Sequence, residues 1–282
     1  MSWLRPAGTL PGECGPVALD PTAAGWEYCG LRVVAAAAGS TTAIDLAGTE
    51  AAVVPLSGRC TIAVAGAGRF ELAGRASVFA AVADVVYLPA GTRCALETAT
   101  GGEFAIATAV ADAPGDVIHR PAADIPIEVR GAGQATRQVN ALLPAEVAGP
   151  QRLIVVEVLT PAGNWSSYPP HKHDEATADE SPLEEIYYFR VAGNRGLGLH
   201  RTYTADGTVD ETVTVADGDV YLVPYGYHGP CVAAPGYDLY YLNVMAGPER
   251  RWSISFDPDH RWVMDTWRDQ TPDPRIPMTG SS

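Results

Sequence analysis

The sequence is poor in basic residues, and lysine is nearly absent. Its 282 residues include 19 Lys or Arg against 33 Asp or Glu, so the net charge is −14, and the only lysine is Lys172. A negative charge of this size repels the phosphates of nucleic acids and of anionic lipid headgroups. We therefore expect no nucleic-acid partner and no membrane partner, and we expect a small molecule instead.

Cysteines and long apolar runs are also scarce. The 5 cysteines are widely spaced and include no Cys-x-x-Cys pair, which predicts neither a disulfide framework nor a thiolate zinc site. The N-terminal residues lack the continuous apolar segment of a secretory signal, and no apolar run approaches the ~18 residues of a membrane span. We therefore expect a cytoplasmic protein.

Glycine and proline, by contrast, interrupt the whole chain. There are 29 Gly and 23 Pro, and the short segments between them are rich in Val, Ala, Tyr and Leu, which is typical of strands. No regular series of helical crossovers, as a parallel sheet requires, is present. The sequence predicts a mainly antiparallel β protein. The predicted strands are Leu31–Ala36, Thr61–Val64, Val85–Leu88, Phe104–Thr108, Leu153–Leu159, Ile186–Val191, Val220–Val223 and Leu239–Met245.

Two parts of the chain resemble each other. Residues 84–91 read DVVYLPAG and residues 219–226 read DVYLVPYG, and Gly58 falls on Gly193 in the same register. Two separate matches in one register favour an internal duplication.

The repeat predicts two β domains joined by a linking segment. We expect the N-terminal domain at residues 1–116, the linking segment at 117–151 and the C-terminal domain at 152–282 with its tail. The N-terminal copy has no histidine before His119. Without imidazoles it makes a poor metal site, so we expect this degenerate copy to be structural.

The C-terminal copy concentrates the histidines. Four of the protein's 6 histidines lie between residues 171 and 228. In a strand the side chains of His171 and His173 point to the same face, so both imidazoles can reach one ion. A carboxylate and a third imidazole from neighbouring strands would complete a set of three nitrogens and one oxygen. Such a set suits zinc, iron, manganese, nickel or copper.

These residues resemble the two motifs of the cupin superfamily. The pair His171 and His173 matches the first motif, and residues 218–228 match the second motif with one residue missing before its histidine. An acidic insert, residues 174–183, lengthens the first motif before its carboxylate. The resemblance implies a bicupin, two antiparallel β-barrel (jelly-roll) domains related by duplication.

Glu184 and Glu185 compete as the carboxylate ligand, because neighbours in a strand face opposite sides. Glu185 precedes Gly193 by the same number of residues as Glu50 precedes Gly58. This register favours Glu185 as the inward residue and leaves Glu184 as the alternative.

The wider pattern is similar to the 5-deoxy-glucuronate isomerase family of inositol catabolism. The similar segments are residues 129–139, 169–174, 183–188, 223–228, 247–252 and 257–262. The resemblance implies a two-cupin enzyme that converts a sugar acid, the aldose 5-deoxy-D-glucuronate, to the ketose 5-dehydro-2-deoxy-D-gluconate. This reaction belongs to myo-inositol catabolism.

A related family, the 4-deoxy-threo-hexosulose-uronate isomerases, shares the two-cupin plan and a zinc site of three histidines and a glutamate. By this resemblance the metal ligands here are His171, His173, Glu185 and His228. The expected ion is zinc, with manganese, iron or nickel as alternatives. Because cupin barrels often associate edge to edge, we expect a homo-oligomer.

Aldose–ketose isomerisation moves a proton from C2 to C1 through an enediolate, and a divalent ion on O1 and O2 lowers that barrier as a Lewis acid. The general base is left open among Glu185, Glu184, a tyrosinate and water. Tyr187 shares the strand face of Glu185 and is a candidate proton donor, with packing in the core as the alternative.

The substrate carboxylate requires a cation. Lys172 and Arg190 face away from the predicted metal if their strands are regular. Arg130 and Arg137 can bind a carboxylate bidentately, with salt bridges to the acidic surface as the alternative. The insert 174–183 is either a lid over the substrate or a solvated loop.

Two other functions fit the same residues. Three histidines and a glutamate around iron also suit a cupin dioxygenase. A non-catalytic sugar-binding bicupin is the third hypothesis, and the retention of all four ligands argues against it. His200 and His260 either serve the pocket or are ordinary polar residues.

Overall fold

The computed structural model describes residues 2–278, in which short strands follow one another with few helical residues between them. The strands of the N-terminal half are β1 (Leu4–Arg5), β2 (Val17–Leu19), β3 (Cys29–Ala36), β4 (Ser40–Asp45), β5 (Thr49–Val64), β6 (Gly68–Arg75), β7 (Val85–Leu88), β8 (Arg93–Thr98), β9 (Gly102–Val110) and β10 (Ile118–Arg120). Those of the C-terminal half are β11 (Ile127–Arg130), β12 (Arg137–Leu143), β13 (Ile154–Thr160), β14 (Trp165–Ser166), β15 (His171–Lys172), β16 (Glu184–Val191), β17 (Gly198–Tyr203), β18 (Asp210–Val215), β19 (Val220–Val223), β20 (Tyr227–Ala233), β21 (Leu239–Ala246) and β22 (Ser255–Phe256). The helices are α1 (Pro21–Ala24), α2 (Val263–Thr266) and the 3-10 turns Ala122–Asp124, Gly133–Ala135 and Trp267–Asp269. None of these helices of residues 2–278 has the length and apolarity that a bilayer crossing requires.

The strands form three sheets. Sheet N contains β2 to β10. Sheet C1 has the strand order β1-β19-β16-β21-β13-β12-β11, and sheet C2 contains β14, β15, β17, β18, β20 and β22. Every pair of these strands in the described residues is antiparallel. The predicted class, mainly antiparallel β, is therefore confirmed.

All the predicted strands are present, but most of them begin or end at other residues than predicted. Val85–Leu88 and Val220–Val223 have the predicted bounds. The largest difference concerns Thr61–Val64, which is only the end of the 16-residue strand β5. Because β5 pairs with β6, β7, β8 and β9 along its length, it curls sheet N round on itself.

Alternate residues of β16 face two different cores. Tyr187 and Phe189 lie in the core between sheets C1 and C2, whereas Ile186 and Tyr188 pack against sheet N. This follows from the alternation of side chains along a strand. Sheet C1 thus lines the C-terminal barrel with one face and joins the two halves with the other. Burial of apolar surface on both faces stabilises the assembly by roughly 25 cal/mol per Å².

A buried ion pair joins the two halves inside this shared core. Arg75 of β6 contacts the carboxylate of Glu157 on β13, and both side chains have 0% exposure. Tyr240 and Asn140 also donate hydrogen bonds to Glu157, at 2.8 and 3.1 Å. These donors satisfy a carboxylate that would otherwise be costly to bury.

The predicted linking segment, residues 117–151, divides between the halves. Its strand β10 pairs with β7 of sheet N, whereas β11 and β12 extend sheet C1. At the other end of the chain, β1 crosses over to pair with β19 of sheet C1. Strands from each half therefore reinforce the other, and the division into domains at residues 116 and 152 stays a prediction.

Candidate active site

Three histidines converge inside the C-terminal barrel. His171 on β15 lies directly opposite His228 on β20, and His173 follows two residues after His171. One ring nitrogen from each of the three lies within 4.8 Å of the others. His173 and His228 are buried, with 3% and 1% exposure. The structure thus brings together the three histidines that the sequence predicts as ligands.

Glu185 completes this group. Its Oε2 atom lies 3.0 Å from Nε2 of His173 and 3.0 Å from Nε2 of His228. Burial by itself raises the pKa of the Glu185 carboxyl, but the two imidazoles outweigh burial and lower it below its usual range. The carboxylate is therefore charged and faces three nitrogen donors, which is a suitable set for a divalent metal.

The hydrogen bonds of the histidines also fit a metal. His173 donates from Nδ1 to the backbone carbonyl of Leu183 at 3.1 Å, which leaves Nε2 directed at Glu185. Such a bond on the second nitrogen is what orients a ligating imidazole. Both nitrogens of His228 are buried and form no hydrogen bond with any residue of the described range 2–278, although Nε2 is close to Glu185. Because an unpartnered buried polar atom is costly, an ion at this point would satisfy it.

Glu184 points to the opposite side of β16. Its carboxylate accepts hydrogen bonds of 2.7 to 2.8 Å from the backbone amides of Glu27, Tyr28 and Cys29 in the N-terminal half. It therefore does not reach the histidines. Of the two candidates, Glu185 is the one beside the imidazoles.

The internal repeat, counted back from Gly58 and Gly193, equates Glu185 with Glu50, and this equivalence is wrong. Glu50 does not face the inside of its barrel as Glu185 does; it accepts hydrogen bonds from the backbone amides of residues 151–153. It thus corresponds to Glu184. The pairing of β5 with β9 shifts between Pro55 and Ser57, and such a bulge means that counting back from a glycine does not preserve the side of the strand.

A cavity of about 350 Å³ adjoins the three histidines, and His171 is among the residues that line it. It lies within the size range of small-molecule sites, about 300–1,000 Å³. Its polar lining consists of Arg130, Arg137, Ser167, His171, Tyr187, Tyr241, Asn243 and Trp252, and its apolar lining consists of Val139, Val156, Val158, Ile254, Phe256, Met264 and Trp267.

Tyr187 lies on the inner side of β16 with Glu185, as alternation predicts, and it belongs to a hydroxyl network. Its phenol oxygen is 3.3 Å from Oγ of Ser167, which in turn is 3.0 Å from the phenol oxygen of Tyr241. Burial, followed by the charge of Glu185, raises the pKa of Tyr187 well above its usual value. A phenol whose pKa is raised in this way is protonated at neutral pH, which suits a proton donor.

Two of the candidate cations for a substrate carboxylate are already paired. Lys172 forms ion pairs of 2.8 to 3.1 Å with Asp174, Glu175 and Glu180. Arg190 contacts carboxylates on the outer side of the barrel, at 2.6 and 2.8 Å. Neither side chain lines the cavity.

Hydrogen bonds hold the acidic insert, residues 174–183, against the barrel. Arg251 donates hydrogen bonds of 2.8 to 3.0 Å to the carbonyls of Thr177, Ala178 and Glu180. Asp174 accepts a bond of 2.6 Å from the amide of Gly226. The insert is thus a loop that hydrogen bonds hold against the barrel. Its last residue, Leu183, provides the backbone carbonyl that accepts the hydrogen bond of His173.

The two other histidines that the sequence offers for the pocket, His200 and His260, lie outside the group of three. His200 is fully buried against the ring of Tyr187, 3.0 Å from the sulfur of Cys231, and burial lowers its pKa to about 3. His260 lies beside Tyr168, with ring centroids 6.4 Å apart. Neither is among the cavity-lining residues.

The sequence analysis missed four polar residues of the cavity. Ser167 and Tyr241 belong to the Tyr187 network. Asn243 and Trp252 each have a buried polar atom, Oδ1 and Nε1, that has no hydrogen-bond partner in the part of the chain that the structure describes. One signal was available: Asn243 interrupts the apolar strand Leu239–Met245 on the same side as Tyr241. A polar residue in such a strand indicates a site on that side.

Comparisons with known proteins agree with this arrangement. The KduI/IolB family matches residues 6–263 of the chain. A relative named 5-deoxy-glucuronate isomerase from Geobacillus kaustophilus is 44% identical over 260 residues, which are 91% of this chain and 93% of the relative. A relative of the same name from Geobacillus thermodenitrificans is 42% identical and covers 91% of this chain and 94% of its own.

Solved structures give the same result. An IolB-like protein from Salmonella typhimurium is 36% identical, with a TM-score of 0.87 over 92% of this chain and 98% of that chain. The oxalate decarboxylase of Lactobacillus farciminis is 12% identical, with a TM-score of 0.62 over 91% of each chain. This second likeness shows the fold alone, and it supports a cupin β-barrel. The resemblance predicted from the motifs is confirmed: the chain belongs to the KduI/IolB family.

Proposed function

We propose that this protein is an isomerase that converts 5-deoxy-D-glucuronate to 5-dehydro-2-deoxy-D-gluconate in myo-inositol catabolism. Its curated relatives, 37–44% identical over most of the chain, carry the name of this activity. The observation that carries the proposal is the convergence of three imidazoles and one carboxylate beside a cavity of about 350 Å³. A sugar acid is of the right size and polarity for this cavity.

The proposed metal ligands are His171, His173, Glu185 and His228. Their support is the short separation of the donor atoms, the oriented ring of His173 and the unpartnered nitrogens of His228. A divalent ion held there would supply Lewis acidity toward O1 and O2 of the sugar. Zinc is the proposed ion, and the same donors also suit manganese, iron and nickel.

Tyr187 is the proposed proton donor of the reaction. Its protonated phenol lines the cavity and is held by the hydroxyl network through Ser167 and Tyr241. A neutral donor at this point can hydrogen-bond the sugar oxygen on which negative charge develops while the proton moves from C2 to C1. The base stays open between Glu185 and water, because Glu184 is bonded to amides on the far side of the strand.

We also propose that the fold arose by duplication and that residues 1–116 form the degenerate copy. Glu50 and Glu184 bond to equivalent amides of the opposite half, which supports a two-fold relation between the halves. The inward position equivalent to Glu185 is then Ala51, and the inside of sheet N is filled by apolar side chains. The N-terminal copy has a structural role in this proposal.

Proton NMR of 5-deoxy-D-glucuronate incubated with the purified protein tests the function. We expect loss of the C1 proton signal and growth of the hydroxymethyl signal of the ketose. Treatment with a chelator should stop this conversion, and added zinc should restore it. An unchanged substrate with the metal-replete protein would contradict the proposal, and oxygen uptake in the same sample would instead favour a cupin dioxygenase.

A further inference from the structure

Two arginines face each other in the wall of the cavity, and only one of them is neutralised. Arg130 and Arg137 are directly opposite across β11 and β12, where like charges destabilise a sheet. Arg130 forms an ion pair of 2.6 Å with Glu128. Arg137 forms no ion pair within residues 2–278; it donates to the Ala135 carbonyl at 3.2 Å and lies 5.7 Å from the ring of Trp267.

The surroundings of Arg137 favour an anion from outside the chain. The side chain lines the cavity, where burial lowers its pKa to about 10. The guanidinium therefore stays charged at neutral pH. A charge withdrawn from water is normally paired, and a planar guanidinium suits a carboxylate in bidentate geometry. The chain provides the cation of such a pair and leaves the anion to a ligand.

The wall beside Arg137 is hydrocarbon. Val139 follows on the same side of β12, and it lies directly opposite Val158 on β13. Both valines line the cavity, and neither offers a hydrogen-bond partner. A hydroxyl group placed against these valines would lose its hydrogen bonds to water and gain none from the protein, which is unfavourable.

Free polar atoms lie elsewhere in the cavity. Asn243 is directly opposite Tyr187 on the neighbouring strand, so it belongs to the region of the metal ligands. Its Oδ1 atom is buried without a hydrogen-bond partner among the described residues, and the phenol of Tyr187 lines the same part of the cavity. The cavity therefore offers a cation with an apolar wall in one part and hydrogen-bond partners in another.

We propose that Arg137 binds the carboxylate of the substrate, and that Val139 and Val158 select acids whose carbon next to the carboxylate is an unsubstituted methylene. This inference rests on the proposed isomerase function. In 5-deoxy-D-glucuronate the carboxylate is followed by a methylene at C5, and the hydroxyl groups lie between C2 and C4. Asn243 then serves those hydroxyl groups.

A cycle of one variant and one substrate analogue tests the carboxylate contact. Arg137→Gln and the parent protein are assayed with 5-deoxy-D-glucuronate and with its uncharged C6 amide. Two charge-assisted hydrogen bonds predict a loss of kcat/KM of about 100-fold for the acid, mostly in KM. The amide should lose less than about threefold, because the arginine has no charge to pair with it. Arg137→Lys should restore part of the activity on the acid. Equal losses on both substrates, or no loss on either, would overturn the contact.

The second test concerns selectivity. Val158→Thr places a hydroxyl in the wall beside the position that this proposal gives to the C5 hydroxyl of D-glucuronate, and we expect the ratio of kcat/KM for D-glucuronate over the 5-deoxy acid to rise about tenfold. Comparing this ratio between proteins cancels the different open-chain fractions of the two sugars. Val156→Thr is the matched control, because Val156 lies opposite Asn243 and should leave the ratio unchanged. An unchanged ratio in Val158→Thr, or an equal rise in the control, would overturn the selectivity.

Failure of this inference can be distinguished from failure of the proposed function. A parent protein that does not convert 5-deoxy-D-glucuronate would overturn both. A parent protein that converts it while Arg137→Gln behaves identically would overturn this inference alone.

Discussion

The carboxylates of Glu50 and Glu184 make equivalent contacts on opposite halves of the molecule. Glu50 accepts three hydrogen bonds of 2.7 Å from the consecutive amides of residues 151–153, which precede β13. Glu184 accepts three of 2.7 to 2.8 Å from the amides of residues 27–29, where β3 begins. Each half thus fixes the start of a strand in the other half. The neighbour of Glu184, Glu185, turns instead toward the three histidines.

Glu184→Gln and Glu185→Gln should therefore have opposite effects. In Glu184→Gln we expect retention of the metal and a decrease of about 1–3 kcal/mol in the free energy of unfolding, because charged acceptors of the amides are lost. In Glu185→Gln we expect loss of both metal and activity, because a carboxamide is a weak ligand. Metal analysis and urea unfolding of the two variants check this. Loss of metal in Glu184→Gln together with retention of metal in Glu185→Gln would contradict this prediction, because it would make Glu184 the metal ligand.

Tyr187→Phe should lower kcat by about 100-fold and leave the metal content unchanged, because it removes only the donated proton. Tyr188→Phe is the matched control, since Tyr188 packs against sheet N on the other side of the same strand. We expect that variant to keep the kcat of the parent. The NMR assay gives kcat, and a parent-like kcat in Tyr187→Phe would remove this residue from the chemistry.

Arg75→Met should decrease the free energy of unfolding by about 3–5 kcal/mol, because it leaves the carboxylate of Glu157 buried without its cation. Arg93→Met breaks an exposed pair, in which Arg93 is 80% and Asp45 is 56% exposed, and it should cost less than about 1 kcal/mol. Urea unfolding followed by circular dichroism measures both. Equal stability of the two variants would show that the buried pair is not a main link between the halves.

Strand alternation predicts much of the site from the sequence. It places Tyr187 with Glu185 on one face of β16, and it also places His171 with His173, although β15 ends at Lys172 and His173 lies just after it. It fails for Glu50, because a bulge between Pro55 and Ser57 changes the side of the strand. Pro55 was the available signal, since proline inside a strand is typical of a bulge. The alternation of side chains within a regular strand can be predicted from its own residues. The position of a bulge also depends on the strand that pairs with it.

Long-range partners account for the other differences. Nothing near the insert 174–183 indicates that Arg251 bonds to its carbonyls, because the two segments meet only through the fold. Arg130 and Arg137 are a different case. Glu128 and Arg130 are two apart in β11 and share a face, so Glu128 pairs with Arg130 and leaves Arg137 as the preferred cation once that strand is known. The strand assignment needed for that argument came only with the structure.

The account depends on one claim, that an ion held by His171, His173, Glu185 and His228 is required for isomerisation. The most direct test is stepwise addition of zinc to the chelator-treated protein, with bound metal and NMR-detected conversion of 5-deoxy-D-glucuronate measured in each sample. We predict that activity rises in proportion to bound metal up to one ion per chain in the parent, and that His228→Ala binds no stoichiometric ion and stays inactive. Full activity of the metal-free parent, or parent-like activity of His228→Ala, would contradict the claim.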